Sequence, residues 1–267
     1  MKVSEDTDMK LAFIGMGNMA TALAQGFVQS GKLQGVDIIA FDPCQDVLKK
    51  KSEEIGFTAA ASAAEAVCAA DTVLIACKPH QVEGAIADIK DLLSGKALLS
   101  IALGWDHARY QAILPSDVRV QFIMPNTPAM VGEGVFLFEE TSTLTDSELC
   151  YVKDLFSAIG YVHTLPSSLM GIGGAISGCG PAFVDLMLEA FADAAVRYGI
   201  PRALALSLVS ETVLGSAKLQ QKTGLHPGVL KDMVCSPAGS TIKGVTALEK
   251  SGFRAACMNA IEAIMEQ

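Results

Sequence analysis

Leu11-Ala12-Phe13-Ile14-Gly15-Met16-Gly17-Asn18-Met19-Ala20 decides the fold. Four apolar residues read as a short buried strand, and the G-x-G-x-x-A run behind them reads as a tight turn opening a helix that extends to Ser30. Gly15 permits the turn, Gly17 lets a pyrophosphate approach the backbone, and the small Ala20 lets the helix lie close to the strand. The helix N-terminus then offers N–H groups and partial positive charge to phosphates, which makes Gly15, Met16, Gly17, Asn18 and Met19 the candidate cofactor-binding residues. The alternative is a turn-glycine pair of no function, but strand, helix and position at the start of the chain all match a dinucleotide-binding element.

Working outward, Val36–Asp42, Asp71–Cys77, Ala97–Ala102 and Val118–Met124 repeat the short apolar pattern with helix-like stretches between them. Continuous runs such as Val73-Leu74-Ile75-Ala76 require burial on both faces, as in a parallel sheet covered by helices. Val135–Phe138 and Tyr161–Thr164, flanking a helix from about Thr145 to Ile159, read as strands added at the sheet edge. After Pro166 the strand signal stops. Helices are expected from Pro181, from Arg202 to about Thr223, and from Ile242 to Met265. The fold class is therefore α/β, an N-terminal Rossmann-type doubly wound sheet over 1–165 followed by an all-α domain over 166–267. That second domain is apolar around much of its helices, so it predicts an obligate dimer, or a higher homo-oligomer built on dimers.

Composition narrows the function. Of 267 residues, 51% are hydrophobic and 18% charged, and the net charge of −9 leaves no basic footprint for nucleic acid or an anionic membrane. No apolar run approaches the ~18–20 residues needed to cross a bilayer, and no membrane partner is expected. Seven scattered cysteines without a C-x-x-C pair predict neither disulfides nor zinc, and suit the cytoplasm. Met1–Asp8 is polar and acidic, so no signal peptide is expected, and Met9 is an alternative start.

Other candidate residues lie where strands end. Asp42 closes the second strand and would accept hydrogen bonds from adenosine ribose hydroxyls, favouring NADH, although Asp42-Pro43 is also a common turn opener and Lys49, Lys50 or Lys51 could meet a 2′-phosphate. Lys78 and Pro79 follow the fourth strand at the edge where such sheets bind ligands. Met124 and Asn126, in Met124-Pro125-Asn126-Thr127-Pro128, leave the sixth strand. Asn126 either bonds a nicotinamide carboxamide or holds its loop through an Asx turn. The most informative stretch is Lys231 to Thr241, a small-residue turn feeding a helix. Backbone N–H groups and the hydroxyls of Ser236, Ser240 and Thr241 make it a carboxylate cradle, where an ordinary helix cap would explain only one hydroxyl. The glycines of Gly173-Gly174-Ala175-Ile176-Ser177-Gly178-Cys179-Gly180-Pro181, ahead of the long helix, permit close approach of backbone to a ligand or to another helix, and most of them read as helix-packing residues.

These motifs, in this order, resemble the pyrroline-5-carboxylate reductase family over nearly the whole chain. Its phosphate loop corresponds to Gly15–Ala20, its V-K-P loop to Cys77–Pro79, its M-P-N-T-P-A loop to Met124–Ala129 and its S-G-S-G-P-A segment to Ser177–Ala182. Its signature K-D-x-V-x-S-P-G-G-T-T-I corresponds to Lys231–Ile242. Ala238 and Ser240 replace a glycine and a threonine there, Cys179 replaces a serine, Cys77 a valine, and Phe122 stands where the family often has arginine. The resemblance implies reduction of 1-pyrroline-5-carboxylate, a cyclic imine carboxylate, to L-proline by NADPH or NADH. It further implies that Thr241 meets the ring nitrogen while the backbone of Ala238, Gly239, Ser240 and Thr241, with Ser236, holds the carboxylate. The Gly15–Ala20 loop would present the nicotinamide to that turn, of the same or another subunit.

Hydride transfer to a protonated imine needs no nucleophile and no metal, so none is expected, and His80, His107, His163 and His226 read as structural or solvated. A β-hydroxyacid dehydrogenase would share the N-terminal motif but needs a lysine acid/base after the central glycines, and Pro181–Tyr198 contains none. A non-catalytic dinucleotide sensor would not need the three hydroxyls.

Overall fold

The computed structural model describes residues 9–266, so the expectations for Met1–Asp8 lie outside it. At its centre is β1 (Leu11–Ile14), paired in parallel with β2 (Ile38–Phe41) on one side and β4 (Thr72–Ile75) on the other. With strands on both edges and helices on both faces, all four residues of β1 are buried. The sheet order is β3-β2-β1-β4-β5-β6-β7-β8, with β3 at Thr58–Ala59, β5 at Ala97–Ser100, β6 at Arg119–Met124, β7 at Gly134–Ser142 and β8 at Gly160–Leu165. Only β7 runs antiparallel to its neighbour β6, and β8 then follows β7 in parallel. The expected strands are all present. β3 is additional, two residues long and paired to Ile39 and Ala40.

Alternate residues of each strand serve opposite layers, as the two-residue period demands. Leu11 and Phe13 join a core with α1 (Asn18–Gln29), α2 (Gln45–Ile55) and α6 (Asp146–Ser157). Ala12 and Ile14 join a second core with α3 (Ala63–Cys68), α4 (Val82–Ala87) and α5 (His107–Gln111). In the first layer Phe156 stands edge-on to Phe27, Phe136 and Phe138 at centroid distances of 5.2, 5.0 and 5.6 Å, tying α1 and α6 to β7.

The sequence reading ends the first domain at residue 165, but the compact units divide between Gly178 and Cys179. The reason is α7 (Met170–Ser177), which packs on β7. A side chain on Gly173 would collide with Leu137 and Leu165, and one on Gly174 with Met124, so both glycines serve packing as expected.

The second unit contains α8 (Gly180–Arg197), α9 (Arg202–Thr223), α10 (Pro227–Met233), α11 (Ser240–Lys250) and α12 (Phe253–Met265). The single helix expected over 242–265 is two, because Gly252 takes φ +75° and breaks the helical path. The expectation that no run could span a bilayer also needs correcting. Ser167–Arg197 has the length and, at a mean hydropathy of 1.3, the composition of such a helix, with 17% of its apolar window buried. Composition and length alone are weak grounds for a membrane helix, and α8 carries Asp185, Glu189 and Asp193.

Replacing Phe156 by alanine removes the centre of the aromatic cluster and is expected to cost about 3–5 kcal/mol. Urea unfolding followed by circular dichroism measures the change.

Candidate active site

Strand order reverses between β1 and β4, since the chain builds outward one way from β1 through β3 and the other way from β4. At such a switch point the loops leaving the carboxyl ends of the strands diverge and open a crevice. Three loops meet there. They leave β1 at Gly15, β2 at Asp42 and β4 at Ala76.

Gly15 has φ +97°, and a Cβ built on it would lie 2.7 Å from the Cys77 nitrogen and 2.9 Å from the Ala76 carbonyl carbon. The backbone of the first loop therefore passes directly over that of the third. Gly17 is different. It takes an extended conformation as the N-cap of α1, with no protein atom within 4 Å of a Cβ position. Nothing in the fold excludes a side chain there, which leaves open the space above the helix head that a phosphate would use. Ala20 is buried against the sheet, as expected.

The Met16 peptide is held at both ends. Its N–H donates to Asp42 Oδ2 at 2.9 Å, and its carbonyl accepts from Lys51 Nζ at 2.6 Å. Asp42 Oδ1 also accepts from the Cys44 N–H at 2.9 Å. These contacts correct two expectations. Met16, with its side chain buried and its N–H engaged, is not a free phosphate donor, and the unpaired N–H groups of the first helical turn begin at Asn18 and Met19. Asp42 is neither a bare ribose acceptor nor only a turn opener, because it fastens the phosphate loop to the end of β2. Its charge reaches the third loop too: burial pushes the Cys77 thiol up, and the Asp42 carboxylate adds to that rise against a backbone hydrogen bond that lowers it.

Lys78 and Pro79 are exposed at the crevice edge. Their loop is held by a residue the sequence reading passed over, Trp105, whose buried indole donates Nε1–H to the Pro79 carbonyl at 3.0 Å. Arg109 lies over the indole, 4.0 Å from the ring centroid. The available signal was the chain's single tryptophan just beyond β5.

Asn126 is 5% exposed and committed to the fold. Its amide nitrogen donates to the Ser177 carbonyl at 2.9 Å, and its amide oxygen accepts from the Val135 N–H at 2.8 Å. It holds its loop by ties to α7 and β7, not by a local Asx turn, and these contacts give no support to carboxamide binding. Met124 likewise points inward, among Phe122, Leu137 and Met170. Phe122 is thus a core residue, and an apolar side chain suits its place.

In the second unit, Ser236–Thr241 forms the turn into α11. The Gly239 N–H donates to the Ser236 carbonyl at 3.0 Å, and Gly239 is the N-cap, with no side chain capping the helix. The hydroxyls of Ser236, Ser240 and Thr241 make no hydrogen bond among the described residues, and all three residues are exposed. A serine or threonine cap is therefore excluded as the reason for them. Open N–H groups at the helix head beside three unengaged hydroxyls make a seat for an anionic, hydrogen-bonding ligand.

Comparison with known proteins identifies the family. A family model described as pyrroline-5-carboxylate reductase dimerisation matches residues 167–267, and one described as NADP oxidoreductase, coenzyme F420-dependent, matches residues 10–104. The pyrroline-5-carboxylate reductase of Treponema pallidum (strain Nichols) is 38% identical over 261 residues, covering 96% of this chain and 99% of that one. The chain belongs to the pyrroline-5-carboxylate reductase family. A second relative of that name, from Methanosarcina acetivorans, is 39% identical over 255 residues and covers 95% and 94% of the two chains. The crystal structure of a Plasmodium falciparum pyrroline carboxylate reductase with NADP bound superposes with a TM-score of 0.88 at 33% identity, covering 97% of this chain and 96% of the other.

The two glycines of the reductase's first loop are expected to fail differently. Gly15→Ala meets backbone in a left-handed conformation and should lose about 2–4 kcal/mol of stability. Gly17→Ala should change stability by about 1 kcal/mol or less, yet weaken dinucleotide binding at least about ten-fold, the loss of one charge-assisted hydrogen bond. Thermal melts and a fluorescence titration with reduced cofactor separate the two.

Proposed function

We infer that the chain catalyses its family's reaction, reduction of 1-pyrroline-5-carboxylate to L-proline, and that it uses NADH in preference to NADPH. The observation that carries the substrate reading is the turn before α11. Apart from the Gly239 N–H, which closes the turn, its N–H groups and three hydroxyls have no structural task to perform. A flat five-membered imine with one carboxylate and one ring nitrogen asks for those groups.

The reduced nicotinamide, when bound, supplies the hydride. Around the substrate, the backbone N–H groups of Ala238, Ser240 and Thr241 hold the carboxylate, the Gly239 N–H being taken by the Ser236 carbonyl, and Ser236 and Ser240 add hydroxyl donors. Thr241 orients the ring nitrogen so that the adjacent imine carbon faces the incoming hydride. The nitrogen enters protonated and keeps its proton as the C=N electron pair becomes its lone pair, so no side chain has to transfer one. Asn18 and Met19 at the head of α1 hold the pyrophosphate, with Lys78 and Pro79 at the rim of the nucleotide site.

The cofactor preference rests on Asp42. Its carboxylate is fixed by the Met16 and Cys44 N–H groups at the end of β2, where an adenosine ribose sits in folds of this kind. A 2′-phosphate would meet that charge, and Lys51, one of the lysines able to offset it, is engaged with the Met16 carbonyl.

Assembly follows from the second unit, which exposes Phe183, Leu186, Phe191, Leu204, Leu206 and Leu208. A second copy covering this surface accounts for the hydropathy of Ser167–Arg197 better than a bilayer does, given the matched dimerisation model. All seven cysteines are free thiols, in keeping with a cytoplasmic setting.

Thr241→Ala should lower kcat/KM for 1-pyrroline-5-carboxylate by about ten- to a hundred-fold, equivalent to roughly 1.5–3 kcal/mol for a hydrogen bond to a charged group. Unchanged kinetics would remove Thr241 from the reaction. In parallel, kcat/KM should be higher with NADH than with NADPH, and Asp42→Ser should shift that ratio towards NADPH even as the loosened loop slows both. A ratio unmoved by the substitution would show that Asp42 does not select the cofactor.

A further inference from the structure

The turn that receives the substrate has a conformation its sequence disfavours. With the Gly239 N–H bonded to the Ser236 carbonyl at 3.0 Å, Pro237 and Ala238 are its two central residues. Ala238 has φ +59°, the only positive φ outside glycine among the described residues. Proline second and a positive φ third mark a type II turn, in which the third residue is normally glycine because a Cβ there crowds the backbone. Ala238 stands where the family signature has glycine.

The same four residues have an unstrained alternative. Rotating the Pro237–Ala238 peptide by about half a turn gives a type I turn, with Ala238 at a φ near −90°. The ends of the turn stay fixed in this motion. Proline locks φ at 237, and Gly239 is held as the N-cap of α11, its missing side chain leaving room for Ser236 Oγ. The flip is therefore the turn's soft coordinate. It exchanges the directions of the Ala238 N–H and the Pro237 carbonyl, so one form offers an anion a donor where the other offers a repelling oxygen.

We propose that Ala238 is a positioning residue that sets substrate affinity through this peptide flip, a reading that rests on the turn being the carboxylate seat. Strain at Ala238 brings the two forms close in energy, and only the left-handed form binds. Apparent affinity is then reduced by the fraction of free enzyme in that form. Glycine or asparagine, which tolerate the left-handed region, would raise the fraction, and β-branched valine would lower it.

The test is a series at position 238 in the full-length protein, with Gly, Asn and Val, measuring kcat and KM for 1-pyrroline-5-carboxylate and the melting temperature of each. Ala238→Gly and Ala238→Asn should lower KM by about two- to ten-fold, the range set by the cost of the left-handed conformation. Ala238→Val should raise it, with kcat held within about two-fold throughout, since a shift in the free enzyme's population alters binding of ground state and transition state equally. Asparagine is the deciding variant, being larger than alanine but more tolerant of positive φ. A KM that follows side-chain size, or that stays flat while the melting temperature rises for glycine, overturns the proposal and leaves Ala238 a structural residue. No turnover in the unsubstituted protein would overturn the functional reading itself, and the proposal with it.

Discussion

The close passage of the Gly15 backbone over Ala76 and Cys77 is the constraint on which the nucleotide half depends. β1 lies between two parallel neighbours, so the chain leaving it must turn within the space between their own exits. A Cβ at residue 15 would sit 2.7 Å from the Cys77 nitrogen. Because no side chain intervenes, Met16 drops into the core, its peptide is grasped by Asp42 and Lys51, and α1 begins with its N–H groups facing outward. The loop is thus set by the fold's own contacts, and Asp42 does structural and electrostatic work from one position.

The second unit solves a different problem. A small imine acid offers a carboxylate and a ring nitrogen, and in the proposed function the Ser236–Thr241 turn would meet them with backbone donors and short hydroxyls and no charged side chain. Gly239 caps α11 without a side chain, which leaves the helix head open to ligand. Division of labour follows from this chemistry. The cofactor brings the reducing electrons, and the chain's own residues supply orientation.

Much of this was legible in the sequence because it rests on local rules. Apolar runs located seven strands, glycine spacing located the tight turn from β1 into α1, and the cluster of small residues from Ser236 to Thr241 located the turn into α11. Other features depend on what lies opposite in space. Two-residue β3 has no apolar run of its own and exists by pairing with Ile39 and Ala40. Asn126 looks like a loop residue facing ligand until α7 and β7 are seen to take both ends of its amide. The tie from Asp42 to the Met16 N–H is invisible in the sequence, since the two residues lie 26 positions apart. The break at Gly252 could have been read from its glycine, but the apolar pattern on both sides suggested continuity.

The most direct measurement follows the hydride itself. With reduced cofactor carrying deuterium at the transferable nicotinamide position, the reaction with 1-pyrroline-5-carboxylate should yield one L-proline per cofactor oxidised. The deuterium should sit on the ring carbon that is bonded to nitrogen and does not bear the carboxylate. Cofactor oxidation without proline, or proline without deuterium at that carbon, would contradict the account.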